Sequence, residues 1–517
     1  MKLRIIRWTL PIALTCTVLT VNRTSAQEQN AKHHHYKLID LGTFGGPASY
    51  VNFNTDVLNS HGAVIGSSET SISLPPNTNA YPCPGPQVFK AFEWHDGVVT
   101  NLGALPGGNC SNAIWINAVG QIAGDSENGA VDSLTGINEV RAVIWNRGEV
   151  MDLGTFGGNH SAAQAINNWG LATGFALNST PDPYSLFDLP FLGSSNGTQT
   201  RAFVWQNGRM QDLGTLGGPD AFGWFVNDWG QIAGISYTNS TANEVTGLPT
   251  LHPFLWQNGR MKDLGTLGGF GSLLTGSVFV TGLNNRGEVI GVSPLPGDRV
   301  SDPFFWDGTK LVDMFSDSAG GNVLVANVIN DAGEVAGAAA FPNQAFDAAV
   351  WKNGVVTDLG FLEGDCGSEA WSINSTGQVG GVSVSCDGNT WRAFLWENGS
   401  MVDLNALVSS GPVLQLIYAV GINSRGEIAG TGVLPGVSTD QDTMSHAFVL
   451  IPCDENHPNI KGCDYSLVAA TAPARPSQNM ELSAPTSAAK LSPVDALTRF
   501  RSMIANRYRK SGPLPRQ

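Results

Sequence analysis

The chain has 517 residues, of which 62 are glycine and only 14% are charged, against about 25% charged residues in an average soluble protein. Glycine breaks helices, and the charged residues that build them are scarce, so the composition argues against a helix-rich fold. A hydrophobic fraction of 42% permits a packed core and excludes global disorder, and the formal net charge of −15 argues against duplex nucleic acid as a partner.

Residues 1–26 have the pattern of a secretory signal peptide. Basic residues come first, an apolar stretch too short to span a bilayer follows, and small residues end at Ala26, before a polar segment. No other stretch approaches the length of a membrane-spanning helix. We therefore expect an exported protein, secreted or periplasmic, without a transmembrane span. Residues 27–35, which include His33–His35, are expected to form a flexible linker that holds no metal.

Residues 36–451 contain eight copies of one repeating unit, marked by three landmarks that keep their order. The first landmark is an Ala/Pro-Phe-x-Trp-like tetrad, and the seven copies that keep the tryptophan end at Trp94, Trp145, Trp205, Trp256, Trp306, Trp351 and Trp396. The second is an Asp-Leu-Gly-like turn, which begins at Asp40, Asn101, Asp152, Asp212, Asp263, Asp313, Asp358 and Asp403. The third is Asn-x-x-Gly, with asparagines at Asn59, Asn117, Asn167, Asn227, Asn284, Asn330, Asn374 and Asn423.

Each unit has the pattern of four short strands joined by tight turns. The tetrad is apolar and aromatic, as strands are, and Asn-Gly or Asp-Gly follows it, which is a strong hairpin signal. Asn-x-x-Gly makes a second tight turn, so the unit is an antiparallel meander. A meander repeated at intervals of 45–61 residues predicts an all-β protein, a β-propeller of eight blades.

The two ends of the repeat distinguish a closed propeller from an open array of the same units. Residues 36–42 are the second half of an outer hairpin without its first half, and residues 446–450 are a first half without its return strand. Pairing of these segments would close the ring and leave no exposed edge strand. We therefore expect the N- and C-terminal strands of the repeat to share one blade.

The unit resembles the HAF-repeat family of bacterial extracellular proteins, which is named for the tripeptide His-Ala-Phe. His446–Phe448 is that tripeptide, Arg201–Phe203 is a variant of it, and Asp-Leu-Gly-Thr-Leu-Gly-Gly occurs at 212–218. The resemblance covers about residues 36–451 and implies export and a repeat architecture. It implies no activity and no catalytic residues.

The tryptophans fall into a repeating and a non-repeating class. Those of the tetrad recur from blade to blade and are expected to pack between blades, because a binding site breaks the symmetry of a repeat. Trp169 and Trp229 are candidates for ligand binding, since they occupy the tips of two consecutive Asn-x-Trp-Gly turns, where side chains tend to be exposed. The alternative, for these two and for four other non-repeating tryptophans, is aromatic filling between blades. Those four are Trp115, Trp224, Trp371 and Trp391.

Six cysteines remain after the signal peptide, in three pairs that are close in sequence. An even number in an exported chain indicates disulfides, and we expect Cys83–Cys110, Cys366–Cys386 and Cys453–Cys463. Zinc binding is not expected, because the spacing of zinc ligands is missing. The last pair lies in a separate segment, 452–465, that would cap the end of the repeat.

The C-terminal tail changes composition after this cap. Residues 466–492 are rich in Ala, Pro, Ser and Thr and predict a linker. Residues 493–510 have apolar side chains at helical spacing among five basic ones, which predicts a short amphipathic helix. Such a helix could bind an anionic surface or the acidic propeller itself, and the alternative is a solvated terminus.

For function, the sequence favours a non-enzymatic binding scaffold whose loops and unevenly placed tryptophans contact a glycan or a protein. The alternative is a propeller hydrolase or lyase acting on polysaccharide, with carboxylates from several blades gathered around the axis. Glu363, Asp365 and Glu369 form one acidic cluster that would serve it, although solvation is the simpler role. We expect a monomer without a cofactor, and we predict no catalytic residue and no metal site.

Overall fold

The computed structural model describes residues 32–53, 55–74, 83, 86–341, 346–408, 413–439 and 444–469. This part of the chain contains eight four-stranded antiparallel sheets and one two-stranded sheet. In seven of the large sheets the strands follow one another in chain order, so each of these sheets is a meander. The eight sheets are the blades of a β-propeller, which confirms the fold expected from the repeat.

The first strands of the chain are β1 (Lys32–His34) and β2 (Tyr36–Asp40). The blades follow, each beginning with the strand nearest the axis. Blade 1 comprises β3 (Gly45–Tyr50), β4 (Val64–Ser73), β5 (Gln87–His95) and β6 (Val98–Gly103); blade 2, β7 (Ser111–Ile116), β8 (Ile122–Val131), β9 (Asn138–Asn146) and β10 (Glu149–Asp152); blade 3, β11 (Gly157–Ile166), β12 (Ala172–Pro181), β13 (Thr198–Gln206) and β14 (Arg209–Asp212); blade 4, β15 (Ala221–Val226), β16 (Ile232–Tyr237), β17 (Leu251–Gln257) and β18 (Arg260–Asp263).

The second half of the ring has the same organisation. Blade 5 comprises β19 (Phe279–Leu283), β20 (Val289–Pro294), β21 (Ser301–Trp306) and β22 (Leu311–Asp313); blade 6, β23 (Asn322–Ile329), β24 (Val335–Ala340), β25 (Asp347–Lys352) and β26 (Val355–Gly360); blade 7, β27 (Asp365–Ile373), β28 (Val379–Ser385), β29 (Trp391–Glu397) and β30 (Ser400–Asp403); blade 8, β31 (Gln415–Ile422), β32 (Ile428–Val433) and β33 (Ser445–Pro452), with β2. Two short helices, α1 (Asp188–Leu192) and α2 (Leu404–Leu407), lie in connections, and β34 (Leu467–Ala469) is the last described element.

Blade 8 is closed by the N-terminal strand. β2 pairs antiparallel with β33, from Tyr36 opposite Pro452 to Asp40 opposite Phe448. The amide of Leu41 extends the pairing with a 3.0 Å hydrogen bond to the carbonyl of Ala447. The two half-hairpins at the ends of the repeat therefore complete one blade, as the sequence predicts.

Residues 32–35 differ from the flexible linker expected over 27–35. β1 pairs antiparallel with β34, and the side chain of His33 is buried with Nδ1 at 2.8 Å from the Glu397 carboxylate. Backbone pairing and this buried contact offset the loss of chain entropy that would otherwise keep the segment free. The same pairing places Leu467–Ala469, the start of the expected 466–492 linker, in a strand.

The core lies between blades and repeats with them. Six of the tetrad tryptophans are buried, and Trp396 is half-buried against the cluster between blades 6 and 7. The tetrad phenylalanines are buried as well, and each lies opposite a glycine of the neighbouring strand. In blade 8, a Cβ on Gly430 would come within 2.6 Å of the Phe448 ring, which explains glycine at this place in the Gly-x-Ile-x-Gly strand.

All three expected disulfides, Cys83–Cys110, Cys366–Cys386 and Cys453–Cys463, are present. The last lies in the cap, which is joined to the N-terminal segment by a 2.8 Å hydrogen bond from the Cys453 amide to the carbonyl of His35. The expected signal peptide, 1–26, and the expected amphipathic helix, 493–510, lie outside the described residues. None of the helices in the described ranges is long and apolar enough to cross a membrane.

Candidate functional site

The antiparallel meander gives the propeller two different ends. The tight turns that join the first to the second strand and the third to the fourth strand lie at one end, which we call the turn face. The connections between the second and third strands and those between blades lie at the other end, which we call the loop face. The sequence insertions, including the one that contains α1, belong to the loop face.

At the turn face the eight repeat asparagines form a closed ring of hydrogen bonds. The side-chain amide Nδ2 of each asparagine donates to the backbone carbonyl of the asparagine in the next blade, at 2.9–3.2 Å. The last of these bonds runs from Asn423 to Asn59 and closes the circle at 2.9 Å. Each Oδ1 also accepts the amides two and four residues further on, which makes the tight turn that the sequence predicts.

A second set of hydrogen bonds joins the residues that follow the ring asparagines. Asn168 donates from Nδ2 to the Asp228 carboxylate at 2.9 Å, and its backbone amide donates to the same side chain at 3.0 Å. Asn285 and Asp331 repeat this pair of bonds at 2.8 and 3.0 Å. The turns of adjacent blades are therefore held in fixed positions relative to one another.

Trp169 and Trp229 stand at the tips of two of these turns. Their side chains are 74% and 73% exposed, while six of the tetrad tryptophans are buried. The bond between Asn168 and Asp228 connects the two turns directly. The equivalent residue of blade 2, Val119, is 68% exposed, so three consecutive blades each present an exposed apolar side chain at this turn.

The other non-repeating tryptophans lie inside the propeller. Trp115 packs edge-on against Phe225 of blade 4, with ring centroids 5.9 Å apart, and reaches the clusters of three blade interfaces. Trp371 packs against Phe53 at 5.1 Å, Trp224 is partly buried, and Trp391 is fully buried. These four fill the interior, which leaves Trp169 and Trp229 as the exposed members of the non-repeating class in the described part of the chain.

Asp56 is a feature of the axis that the sequence reasoning missed. In seven blades the first strand has a bulge three residues before the ring asparagine, at Ile114, Gln164, Trp224, Thr281, Asn327, Trp371 and Val420. Asp56 has the same spacing from Asn59 and is the one acidic residue in this set. Aligning the eight units on their asparagines would have revealed it.

The pKa of Asp56 is raised to about 7. Its side chain reaches solvent, but the blades around the axis enclose it, and this partial loss of hydration is the main cause. The carboxylates of Asp228 and Asp331, which come from the turn tips of blades 4 and 6, raise the pKa further by repulsion. The carboxylates of two turns that are distant in the sequence thus act on Asp56.

The loop face carries two clefts, both far in the fold from the exposed tryptophans. A cleft of about 840 Å³ between the loops of blades 4 and 5 is lined by residues that include Thr246, Leu274, Asp298 and Arg299. A smaller one of about 250 Å³ lies beside α1. From the sequence we expected one binding surface made of the inserted loops and the uneven tryptophans. The inserted loops lie at the loop face, whereas Trp169 and Trp229 lie at the turn face.

The three residues of the acidic cluster suggested by the sequence do not form one solvated group. Glu363 is exposed, but Asp365 is buried with its carboxylate 2.9 Å from the Arg392 guanidinium. Glu369 is buried and accepts a 2.8 Å hydrogen bond from Asn327. These two carboxylates have structural partners, which a charge count along the sequence cannot reveal.

Within the described residues, one group of three potential metal ligands lies close together, Cys83, Cys110 and Glu127. The two cysteines form a disulfide, so their sulfur atoms are not thiolate ligands.

No protein-family model matches the chain, and no curated protein is similar to it in sequence. Among solved structures, the chain is similar to the Dos1 propeller, at 9% identity and a TM-score of 0.41, over 80% of this chain and 95% of that one. It is also similar to the propeller domain of the Trilobed protease from Pyrococcus furiosus, at 9% identity and a TM-score of 0.38, over 72% and 95% of the two chains. A third likeness, to the acylaminoacyl peptidase of Pyrococcus horikoshii, has 12% identity and a TM-score of 0.38 and covers 74% of this chain and 57% of that one. These likenesses concern the fold alone.

Proposed function

We propose that this protein is an exported, non-enzymatic binding scaffold of the HAF-repeat type, and that its turn face binds a glycan or protein ligand through Trp169 and Trp229. One observation carries the proposal. Two tryptophans in equivalent positions of adjacent blades are about three-quarters exposed, on turns held together by hydrogen bonds. A rigid, exposed pair of aromatic side chains offers a large contact area at a small entropic cost, which is typical of binding surfaces.

Export is supported by the cysteines. All six cysteines of the described residues form disulfides, and such bonds persist in oxidising compartments outside the cytoplasm. We propose a secreted or periplasmic location on this basis together with the signal-like pattern of residues 1–26.

The binding proposal is tested with purified residues 27–517 and a panel of insoluble polysaccharides and cell-wall preparations. The protein retained on each solid and the new reducing ends in solution are measured in one assay. Retention without new reducing ends is the expected result. Trp169→Ala and Trp229→Ala should each weaken retention at least tenfold, because an exposed tryptophan at the centre of a contact contributes about 2 kcal/mol or more.

Met151→Ala is the matched control, since Met151 is an exposed apolar residue on an outer strand, away from the turn tips. Its retention should equal that of the wild type. Both tryptophan variants should keep the wild-type free energy of unfolding to within about 0.5 kcal/mol, because the side chains are on the surface. Retention on a glycan that is unaffected by either substitution would refute the assignment of the site. Retention on cell-wall protein alone, sensitive to both substitutions, would identify a protein ligand.

Asp56 favours a second candidate function, a polysaccharide hydrolase or lyase. A carboxyl group with a pKa of about 7 is half protonated at neutral pH and can donate a proton to a leaving group. If new reducing ends are released, Asp56→Asn should abolish the release while retention persists. The activity should fall as the pH rises through about 7, because the acid form of Asp56 is then lost. Release that survives this substitution would eliminate Asp56 as the acid.

A further inference from the structure

The outer hairpin of each blade contains one facing pair of side chains that the sequence analysis did not connect. The residue before Ala/Pro-Phe in the third strand faces the aspartate or asparagine of the Asp-Leu-Gly-like turn in the fourth strand. Blades 2, 3, 4, 7 and 8 have a basic residue at this position and an aspartate opposite it. In blade 2 the basic residue, Arg141, contacts Glu139 instead, and in the other four the two side chains form an ion pair. The pairs are Arg201–Asp212 at 2.9 Å, His252–Asp263 at 2.9 Å, Arg392–Asp403 at 3.3 Å and His446–Asp40 at 2.9 Å.

Blade 6 has an acid where those blades have the basic residue. Its third strand begins Asp347-Ala348, and its register places Ala349 opposite Asp358, just as Phe203 lies opposite Asp212 in blade 3. Asp347 therefore takes the position of Arg201, and two aspartates face each other. Asp347 thus puts a negative charge where those blades have a basic side chain, as Asp302 does in blade 5.

The environment of Asp347 makes this pair unusual. The residue is 0% exposed, and neither oxygen of its carboxyl accepts a hydrogen bond from a neighbouring donor. The charged group that acts on it is Asp358, which is exposed to solvent on its outer side and accepts the Gly360 amide at 2.8 Å. Burial first, and then repulsion by Asp358, raises the pKa of Asp347 to about 8.

A buried carboxylate without a partner is costly, so the pair has to hold either a proton or a cation. Two carboxyl groups can bond to each other only when one of them is protonated. A cation can instead occupy the position of the missing guanidinium or imidazole group, with water completing its coordination on the solvent side of Asp358. Carboxylate and water oxygens are the ligands of calcium, which tolerates irregular geometry, whereas magnesium requires a near-ideal octahedron.

We propose that Asp347 and Asp358 bind one calcium ion in the outer hairpin of blade 6. Two carboxylates form a weak site, in the range of about 10⁻⁴–10⁻³ M that is usual for extracellular modules. The ion restores the charge balance that the basic residue supplies in blades 3, 4, 7 and 8.

The test uses metal-free residues 27–517 and CaCl2. Isothermal titration at neutral pH should give one ion per chain. The midpoint of thermal unfolding should rise as free calcium increases through the millimolar range. Absence of both the binding heat and the rise in midpoint would overturn the proposal.

Three variants locate the site. Asp358→Asn should abolish calcium binding, and Asp347→Arg, which recreates the pair of blade 3, should do the same in a protein that remains folded. Asp302→Asn is the matched control, because Asp302 also faces an aspartate, Asp313, in blade 5 but is 6% exposed and has no unsatisfied oxygen among those described. It should bind calcium as the wild type does. If Asp302→Asn lost calcium binding while Asp358→Asn and Asp347→Arg kept it, the assignment of the site to blade 6 would be refuted.

Discussion

Each ring asparagine uses both atoms of its side-chain amide. Oδ1 accepts two backbone amides of its own turn, and Nδ2 donates to the next blade, as Asn374 does to the carbonyl of Asn423 at 2.9 Å. Aspartate could replace the acceptor but not the donor, and alanine could replace neither. This explains why asparagine occupies all eight positions, while the residue that follows it varies from serine and alanine to asparagine and aspartate.

Asn374→Asp is expected to lower the free energy of unfolding by about 1–3 kcal/mol. The turn keeps its acceptor, but the Asn423 carbonyl loses its donor in a buried position and faces a carboxylate instead. Urea unfolding measures the change. Ser375→Ala, at the exposed tip of the same turn, is the control and should stay within about 0.5 kcal/mol of the wild type. Equal losses in the two variants would contradict a role for the inter-blade bond.

At the scale of the element, the two-stranded sheet of β1 and β34 contacts blade 7 through the pair of His33 and Glu397, in which the histidine is buried. Burial opposes ionisation of Glu397, but hydrogen bonds from His33 and Gln378 outweigh it and lower the pKa of the carboxyl. A carboxyl group with a lowered pKa in the folded state stabilises the fold above its unfolded pKa. That contribution is lost as the pH falls through the folded pKa.

Glu397→Gln should therefore destabilise the protein at neutral pH and much less in acid. The wild type loses the ionised carboxylate as the pH falls, so the free energies of unfolding of the two proteins converge. Urea unfolding at neutral pH and at about pH 3, below the ordinary pKa of glutamate, measures the difference. A difference that does not depend on pH would show that the variant acts through packing and not through the charge.

At the scale of the whole molecule, ring closure depends on β2. Removing residues 27–43 would leave β33 with an unpaired edge at the rim of blade 8, and such edges pair with other chains. We expect this truncated protein to form multimers, and size-exclusion chromatography with light scattering measures their mass. Asp40→Ala, which removes the contact with His446 but keeps the strand, should elute with the wild type. A truncated protein that elutes in the same way would show that the ring closes without β2.

The fold could be predicted because every blade repeats its determinants. Trp256 and Asn227 each have equivalents at the same place in the other units, and the incomplete units at the two ends indicate how the ring closes. The burial of His33 could not be predicted, because it depends on a strand that arrives more than 400 residues later. The pKa of Asp56 likewise depends on carboxylates of two distant blades. His33 and Asp56 have no equivalents in the other blades, and only the closed ring brings them to the residues with which they interact.

The asparagine ring also has a direction, since every member donates to the blade that follows it. The bond between the last blade and the first, at 2.9 Å, is indistinguishable from those between blades that are neighbours in the chain. At this face the ring of hydrogen bonds continues without a break from blade 8 to blade 1. Only the outer strand β2 marks the blade in which the two ends of the repeat meet. The same ring could therefore be built by a circularly permuted chain whose ends lie in the outer hairpin of any other blade.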